Sequence, residues 1–279
     1  MSTTPRLRLG QLLRLSWRDL WHERWLAACA ACVLAATLAP LWTLWGLERG
    51  VIGTLIERQD RDPLMRELVP ASTGANRFDA AWFARVGQWP DVAFVIPTIR
   101  SAAALVELFS ESAPAPVTLE LRATAAADPL LGGASAPTAN TLVLSADAAQ
   151  RLNAKPGQTL TIPLSRERDG RSERAALQVS VASVLPLAVS DSVSALAAPP
   201  LLEAIESWRD GYAVPGFGGD GSGPPPARVV HPLFRMYAGS IRDVEALAAK
   251  LESEGVSTNT RAREISATLG LQRNLRNVL

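Results

Sequence analysis

The stretch WLAACAACVLAATLAPLWTLWGL, from Trp25 to Leu47, contains no charged side chain. Because a helix rises about 1.5 Å per residue, this stretch would be roughly 34 Å long, enough to cross a hydrocarbon core of about 30 Å. A buried helix in a soluble protein is seldom apolar for so long and normally keeps one polar face. The stretch therefore predicts a transmembrane helix over residues 25–47.

The charges that flank this helix predict its orientation. Residues 1–24 hold five arginines and two acidic residues, whereas residues 48–68 hold four arginines and five acidic residues. The positive-inside rule then puts the N-terminus in the cytoplasm and the long C-terminal portion outside. Leucines and tryptophans at helical spacing within residues 1–24 predict an amphipathic helix in the cytoplasmic interface, with a simple extension of the span as the alternative.

Tryptophans mark both ends of the predicted span. Indole rings prefer the headgroup boundary, so five of the eight tryptophans are predicted to be membrane-interface anchors: Trp17, Trp21, Trp25, Trp42 and Trp45. A cleavable signal peptide is the competing interpretation, but its apolar core is normally shorter and ends in an A-x-A-like site. The sequence around Leu47 lacks such a site, which favours a retained anchor.

Composition excludes several classes of protein. The formal net charge of +1 gives no basic field for nucleic acid, and no nucleic-acid partner is expected. The two cysteines, Cys29 and Cys32, lie inside the apolar stretch, where a C-x-x-C redox pair would lack its polar helix start. We interpret them as two small apolar residues, so the rest of the chain forms no disulfide.

The residues after the span predict a stalk and an α+β domain. Helical spacing continues through residues 48–62 and ends at Asp62-Pro63, which predicts a stalk helix. The extracytoplasmic domain is then predicted over residues 63–261. It contains two strand-helix-strand units, which suggest a split βαβ sheet with helices on one face. The first unit has strands at 67–71 and 92–99 around a helix at 78–89, and the second has strands at 229–237 and 256–260 around a helix from Val244.

The segment between these units, about residues 100–228, is predicted to be a β-rich insertion. Ser145 caps a short predicted helix, and an Asp-Gly pair marks a hairpin tip. Predicted strands are 141–144, 159–164 and 175–187, and predicted loops are 110–116, 123–139 and 211–227. Residues 262–279 return to helical spacing and predict the start of a return stalk helix.

No residue pattern in the chain predicts catalysis. A Walker phosphate-binding loop is missing, and His22 and His231 are expected on opposite sides of the membrane. The carboxylates Glu107, Asp128 and Asp191 are scattered, and each is expected on a solvated face. The sequence therefore predicts no enzyme and no catalytic, metal or cofactor-binding residue.

The order of features resembles the MacB/LolC/FtsX-like family of ABC transporter permeases. The resemblance rests on Trp17-Arg18-Asp19-Leu20, on Asp62-Pro63 with Arg66-Glu67-Leu68, and on VAFVIPTIR from Val92 to Arg100. It continues in LVLSADAAQRLNAKPGQTL from Leu142 to Leu160, in Phe234 to Ala238, in Val244 to Gly255 and in Arg261 to Leu275. Three later spans and the cytoplasmic loop that contacts the ATPase are missing from this sequence.

This resemblance implies mechanotransmission across the bacterial inner membrane. In that family, ATP binding by a cytoplasmic ABC ATPase moves two stalks, and a periplasmic core domain handles lipoprotein, peptide or other envelope cargo. The expected chain is the N-terminal part of such a subunit, forming a homodimer or a heterodimer with another permease. Two alternatives stay open: a single-span envelope scaffold or adaptor, and a membrane-anchored hydrolase.

Overall fold

The computed structural model describes residues 22, 24–47, 62–72, 78–186, 192–218 and 221–261. The described part is a mixed α/β protein with one long apolar helix near its N-terminus. Several predictions lie outside these residues: the amphipathic helix of residues 1–24 except for two residues, the stalk up to residue 61, and the return stalk over 262–279. Helix α1 and residues 57–266 belong to two separate compact units.

Helix α1 spans Arg24–Leu47 and includes Pro40. Among the described residues, α1 is the one helix that is long and apolar enough to cross a membrane. Its mean hydropathy is 1.8 over Arg24–Thr43, and none of that window is buried. The full exposure argues against a core helix of a soluble domain, because such a helix buries its apolar side chains. A cleavable signal sequence meets the same criteria of length and hydropathy.

The first sheet of the second unit has four strands and combines segments far apart in the chain. Its strands are β1 (Glu67–Pro70), β3 (Val92–Thr98), β11 (Leu233–Ala238) and β12 (Thr258–Asn259). Their order in the sheet is β12-β1-β11-β3, and all three neighbouring pairs are antiparallel. We call it the small sheet. A short separate ladder pairs β2 (Phe78–Asp79) with β10 (Val230–His231).

Two helices accompany the small sheet. Asp79 caps α2 (Ala80–Val86) by accepting a hydrogen bond from the Trp82 amide, and α6 (Val244–Ser253) contacts β1 and β12. The predicted helix over 78–89 is therefore shorter than expected, because Phe78 and Asp79 pair with β10 instead. The predicted strand 229–237 is also broken, since Pro232 separates β10 from β11.

The insertion forms a curled six-stranded sheet of order β4-β5-β9-β6-β8-β7. Its two edges meet at Phe109 and Thr161, whose backbones exchange hydrogen bonds of 2.8 and 2.9 Å. The sheet therefore closes into a barrel. Its strands are β4 (Leu105–Leu108), β5 (Val117–Ala123), β6 (Thr141–Leu144), β7 (Thr159–Arg168), β8 (Arg171–Val184) and β9 (Ser194–Ala197).

Several predictions in the insertion match the structure and others need correction. Strand β6 and the Ser145-capped helix α4 (Ala146–Leu152) are as expected. The hairpin turn holds only Asp169 and Gly170, both at positive φ, so β8 begins at Arg171 rather than at residue 175. Strands β4, β5 and β9 and helices α3 (Ser101–Ala104) and α5 (Pro199–Arg209) were not predicted.

Apolar packing joins the barrel to the small sheet. One core fills the barrel and reaches α5 together with Ile96 and Ile99 at the end of β3. A second cluster brings Leu64 and Tyr237 against the barrel residues Val143 and Leu196. All six residues of β11 are buried, so this central strand is covered on both faces. This packing makes residues 62–261 one compact body with buried polar groups at its internal junction.

Candidate functional site: the junction of the small sheet and the barrel

Two arginine-rich networks connect the small sheet to the barrel. The first, which we call the inter-sheet network, contains Glu67, Arg122, Asp128, Arg235 and Tyr237. The second, the crossover network, lies where the chain passes into the insertion and where it returns. It contains Arg100, Glu206, Asp210 and Arg228. Between the two sheets, beside the inter-sheet network, there is a cleft.

The inter-sheet network is centred on Arg235 of β11, which is only 3% exposed. Its guanidinium donates to the Ala123 carbonyl and to the Asp128 carboxylate. It also donates to the Tyr237 hydroxyl at 2.6 Å. The Asp128 carboxylate further accepts from the Thr124 hydroxyl at 2.7 Å and from the Leu130 amide at 2.9 Å, so its orientation is fixed.

Tyr237 extends the network across the small sheet. Its hydroxyl donates to Glu67 at 3.2 Å, and Glu67 also pairs with Arg122 of the barrel strand β5. Burial raises the pKa of Tyr237, so this hydroxyl stays protonated and remains a donor. Burial alone would lower the pKa of Arg235, but the nearby Tyr237 oxygen and the Asp128 and Glu67 carboxylates raise it. The network therefore combines a charged Arg235 with a neutral Tyr237 phenol.

Glu206 of α5 is the centre of the crossover network and is 2% exposed. It accepts hydrogen bonds from the Arg100 amide at 3.0 Å and from Arg100 Nε at 2.8 Å, and it forms an ion pair with Arg228 at 2.5 Å. Burial would raise the pKa of Glu206, but the hydrogen bonds from Arg100 and then Arg228 lower it overall. Because Arg100 follows β3 and Arg228 precedes β10, this single carboxylate binds both crossing segments.

The cleft has a volume of about 300 Å³. One wall is a face of the small sheet, where Val69 pairs with Asn259 and Leu233 pairs with Thr98. The other wall is the outer side of β5. Because side chains alternate along a strand, Glu120 and Arg122 lie on the same side of β5. The cleft thus combines apolar surface with charges of both signs.

The structure separates the residues that the sequence singled out. Trp25, Trp42 and Trp45 are exposed on α1, whereas Trp17 and Trp21 lie outside the described residues. Glu107 is exposed, and Asp191 is outside the described residues. The expectation for Asp128 is wrong, because it is 4% exposed and paired with Arg235. In the described part of the chain, no group of His, Cys, Asp and Glu side chains is arranged to hold a metal ion.

Sequence reasoning missed the residues that make this junction. Arg235 and Tyr237 lie on the same face of a strand that was predicted to be apolar. Because arginine is almost never fully buried without a partner, an arginine in an apolar strand indicates a buried carboxylate nearby. Leu202, Ile205 and Trp208 recur at helical spacing, which indicates a buried helix face, and Glu206 lies among them. In neither case did the sequence reveal the partner.

Comparison with models of known protein families finds no match, and no curated protein matches the chain significantly. The functional interpretation therefore depends on the residues and on the geometry of the described part of the chain.

Proposed function

We propose that this chain is the N-terminal part of the transmembrane subunit of an ABC transporter, of the MacB/LolC/FtsX-like permease type. In this proposal α1 is a retained inner-membrane helix with its N-terminus in the cytoplasm. Residues 62–261 form a periplasmic domain without enzymatic activity or cofactor. The domain receives ATP-driven motion and handles lipoprotein, peptide or envelope cargo.

The observation that carries the proposal is that the first and last strands of the domain are neighbours. Val69 of β1 lies opposite Asn259 of β12, and the Ala71 amide donates to the Ser257 carbonyl at 2.8 Å. Because these strands are antiparallel, the chain enters and leaves the domain at the same end of the small sheet. Two connections at one end suit a domain that is displaced as a body by a pair of stalks.

The strand order supports the finer description of the fold. Two strand-helix-strand units, β1-α2-β3 and β11-α6-β12, interleave in the order β12-β1-β11-β3. That interleaving is typical of a split βαβ arrangement. The insertion then lies between β3 and β10, and Glu206 holds both of its connections. Such bracing favours transmission of motion over internal flexing, because breaking a buried ion pair is costly.

The proposal requires two partners, a cytoplasmic ABC ATPase and a second permease subunit, identical or related. It is tested by purifying the N-terminally tagged full chain from solubilised membranes of its own bacterium. We expect a protein with a Walker loop to copurify in stoichiometric amount, with ATP hydrolysis that orthovanadate inhibits. The chain itself lacks that loop, so hydrolysis must come from the partner.

A matched variant keeps the experiment specific. Leu34→Arg with Leu38→Arg puts two charges within the apolar helix, each costing about 2.5–3.5 kcal/mol at the centre of a span. We expect this variant to lose the ATPase, whereas Leu34→Ile with Leu38→Ile should retain it. A chain that stays in the membrane but purifies without hydrolytic activity would refute the transporter proposal and favour the single-span scaffold.

A further inference from the structure

His231 of β10 lies between two helices, α2 and α5. Its imidazole meets the Phe83 ring of α2 edge-on, with 5.8 Å between the ring centroids. Its Nδ1 is 3.8 Å from Oε1 of Glu203 on α5, which is too far for a hydrogen bond. The side chain is only 16% exposed, and its imidazole makes no hydrogen bond with the described residues. The ring therefore joins α2 to α5 by packing rather than by a polar contact.

The backbone of β10 is held by few pairs. His231 lies opposite Phe78 and Val230 lies opposite Asp79, and these two pairs make up the whole β2–β10 ladder. Asp79 also caps the start of α2, a helix of seven residues. Short elements with few backbone pairs open locally at a lower free energy than the core does. A change in the charge of His231 would therefore act first on this ladder and on the start of α2.

Charged groups face His231 from α5 and from its own segment. Glu203 and Glu206 lie on α5, and Arg228 is three residues before His231. Glu206 is already bound by two arginines, so Glu203 is the α5 carboxylate that remains to receive an imidazolium. On β2, the Asp79 carboxylate accepts from the amide of the third residue of α2. A proton on this imidazole would thus lie against an aromatic ring, close to a guanidinium and 3.8 Å from one carboxylate.

We propose that His231 is an acid-sensitive latch, whose protonation releases the β2–β10 ladder and the start of α2 from α5. In the closed form the neutral imidazole packs on Phe83, and in the open form the imidazolium turns towards water and Glu203. This inference concerns residues 78–231 alone and does not depend on the transport proposal.

The direction of the pH effect follows from the surroundings of the ring. Burial has the largest influence and lowers the pKa of His231; Glu203 raises it, Arg228 lowers it, and the result is below the ordinary value of 6.5. A histidine whose pKa is lowered by folding stabilises the closed form fully above pH 6.5. That stabilisation is lost as the pH falls below 6.5, because the open form then binds the proton more tightly.

The test is hydrogen–deuterium exchange, measured by mass spectrometry on the purified full chain in detergent at pH 7.5 and pH 5.0. Rates are corrected for the intrinsic effect of pH with an unstructured reference peptide. We expect peptides that cover residues 78–86 and 228–232 to exchange several-fold faster at pH 5.0, up to a ceiling of about thirtyfold for a histidine of ordinary pKa 6.5 in the open form. Peptides from β6 should not change. Glu206 stays largely ionised at pH 5.0, since its pKa lies below 4.5.

The two histidines of the chain provide a matched pair of variants. His231→Phe keeps a ring beside Phe83 but cannot take a proton, so it should lose the acid response, whereas His22→Phe should retain it. If phenylalanine prevents folding, His231→Gln gives the same readout with a smaller side chain. Glu203→Gln should enlarge the acid response, because it removes the carboxylate that favours the imidazolium in the closed form.

Two results would overturn the latch. One is an equal acid response in the wild type and in the folded His231 variant. The other is faster exchange at pH 5.0 that extends equally to β6, since this would indicate general unfolding rather than local release. Neither result bears on the transport proposal, because the purified chain carries no ATPase.

Discussion

Replacing Glu206 with alanine should destabilise the domain of residues 62–261 more than any single surface change, because this buried carboxylate joins both crossing segments. The substitution removes the hydrogen-bond acceptor of Arg100 and the ion-pair partner of Arg228, whose side chain is only 23% exposed. Breaking a buried ion pair from one side costs about 3–5 kcal/mol. For a body of about 200 residues, each kcal/mol lowers the melting temperature by about 2–4 °C, so the expected decrease is about 6–20 °C.

The assay is thermal unfolding of the full chain in detergent, followed by near-ultraviolet circular dichroism. Glu203→Ala on the same helix is the matched control. Glu203 is more exposed and lies 3.8 Å from His231, so its loss should cost at most about 1 kcal/mol. If Glu206→Ala melts within the range of the Glu203→Ala control, the reasoning that Glu206 braces the junction is wrong.

Three further predictions follow from the same geometry. The pKa of Glu206 lies below its ordinary value of 4.5, so the ionised carboxylate stabilises the folded domain fully above pH 4.5 and loses this effect as the pH falls further. The melting temperature of Glu206→Gln should therefore decline less steeply with acid than that of the wild type. Trp208→Ala should cost about 3–5 kcal/mol in chemical unfolding, since this fully buried ring also stacks against the Arg166 guanidinium at 4.4 Å. A third variant combines Val69→Cys with Asn259→Cys in a chain whose Cys29 and Cys32 are replaced by alanine. It should form a disulfide on oxidation, visible as a mobility shift on a non-reducing gel. A failure to cross-link would contradict the pairing of β1 with β12.

Local signals in the sequence predicted the local structure well. The uncharged run from Trp25 predicted α1, because length and hydropathy need no knowledge of tertiary contacts. Ser145 caps its helix through the Ala148 amide, and the Asp-Gly pair forms a tight turn with both φ angles positive. In each case a few adjacent residues determine the conformation.

Short elements of the barrel were missed for a different reason. Strands β4 and β9 have four residues each, too few to show a period, and all four residues of β9 are buried. Helix α5 begins with Pro199-Pro200, two residues that disfavour the interior of a helix. Proline is tolerated in the first turn of a helix because the amides there have no intrahelical acceptor.

The candidate site could not be predicted because its contacts join residues far apart in the chain. Asp128 and Arg235 are 107 positions apart, and Arg100 and Glu206 are 106 apart. Nothing near Asp128 distinguishes it from an exposed carboxylate until the barrel packs against the small sheet. The sequence supplied the residue types, whereas their pairing depends on how the insertion folds back.

The central claim is that α1 is a retained anchor that holds the domain outside the cytoplasm. The test uses two single-cysteine variants in which Cys29 and Cys32 are replaced by alanine. One carries Ser2→Cys, and the other carries Ser172→Cys at the exposed tip of the β7–β8 hairpin. Spheroplasts are treated with a membrane-impermeant maleimide, and the mass of the mature chain is measured. We predict labelling of Ser172→Cys in intact spheroplasts, labelling of Ser2→Cys only after lysis, and a mass that includes residues 1–47. The reverse labelling, or a mature chain without α1, would contradict the account.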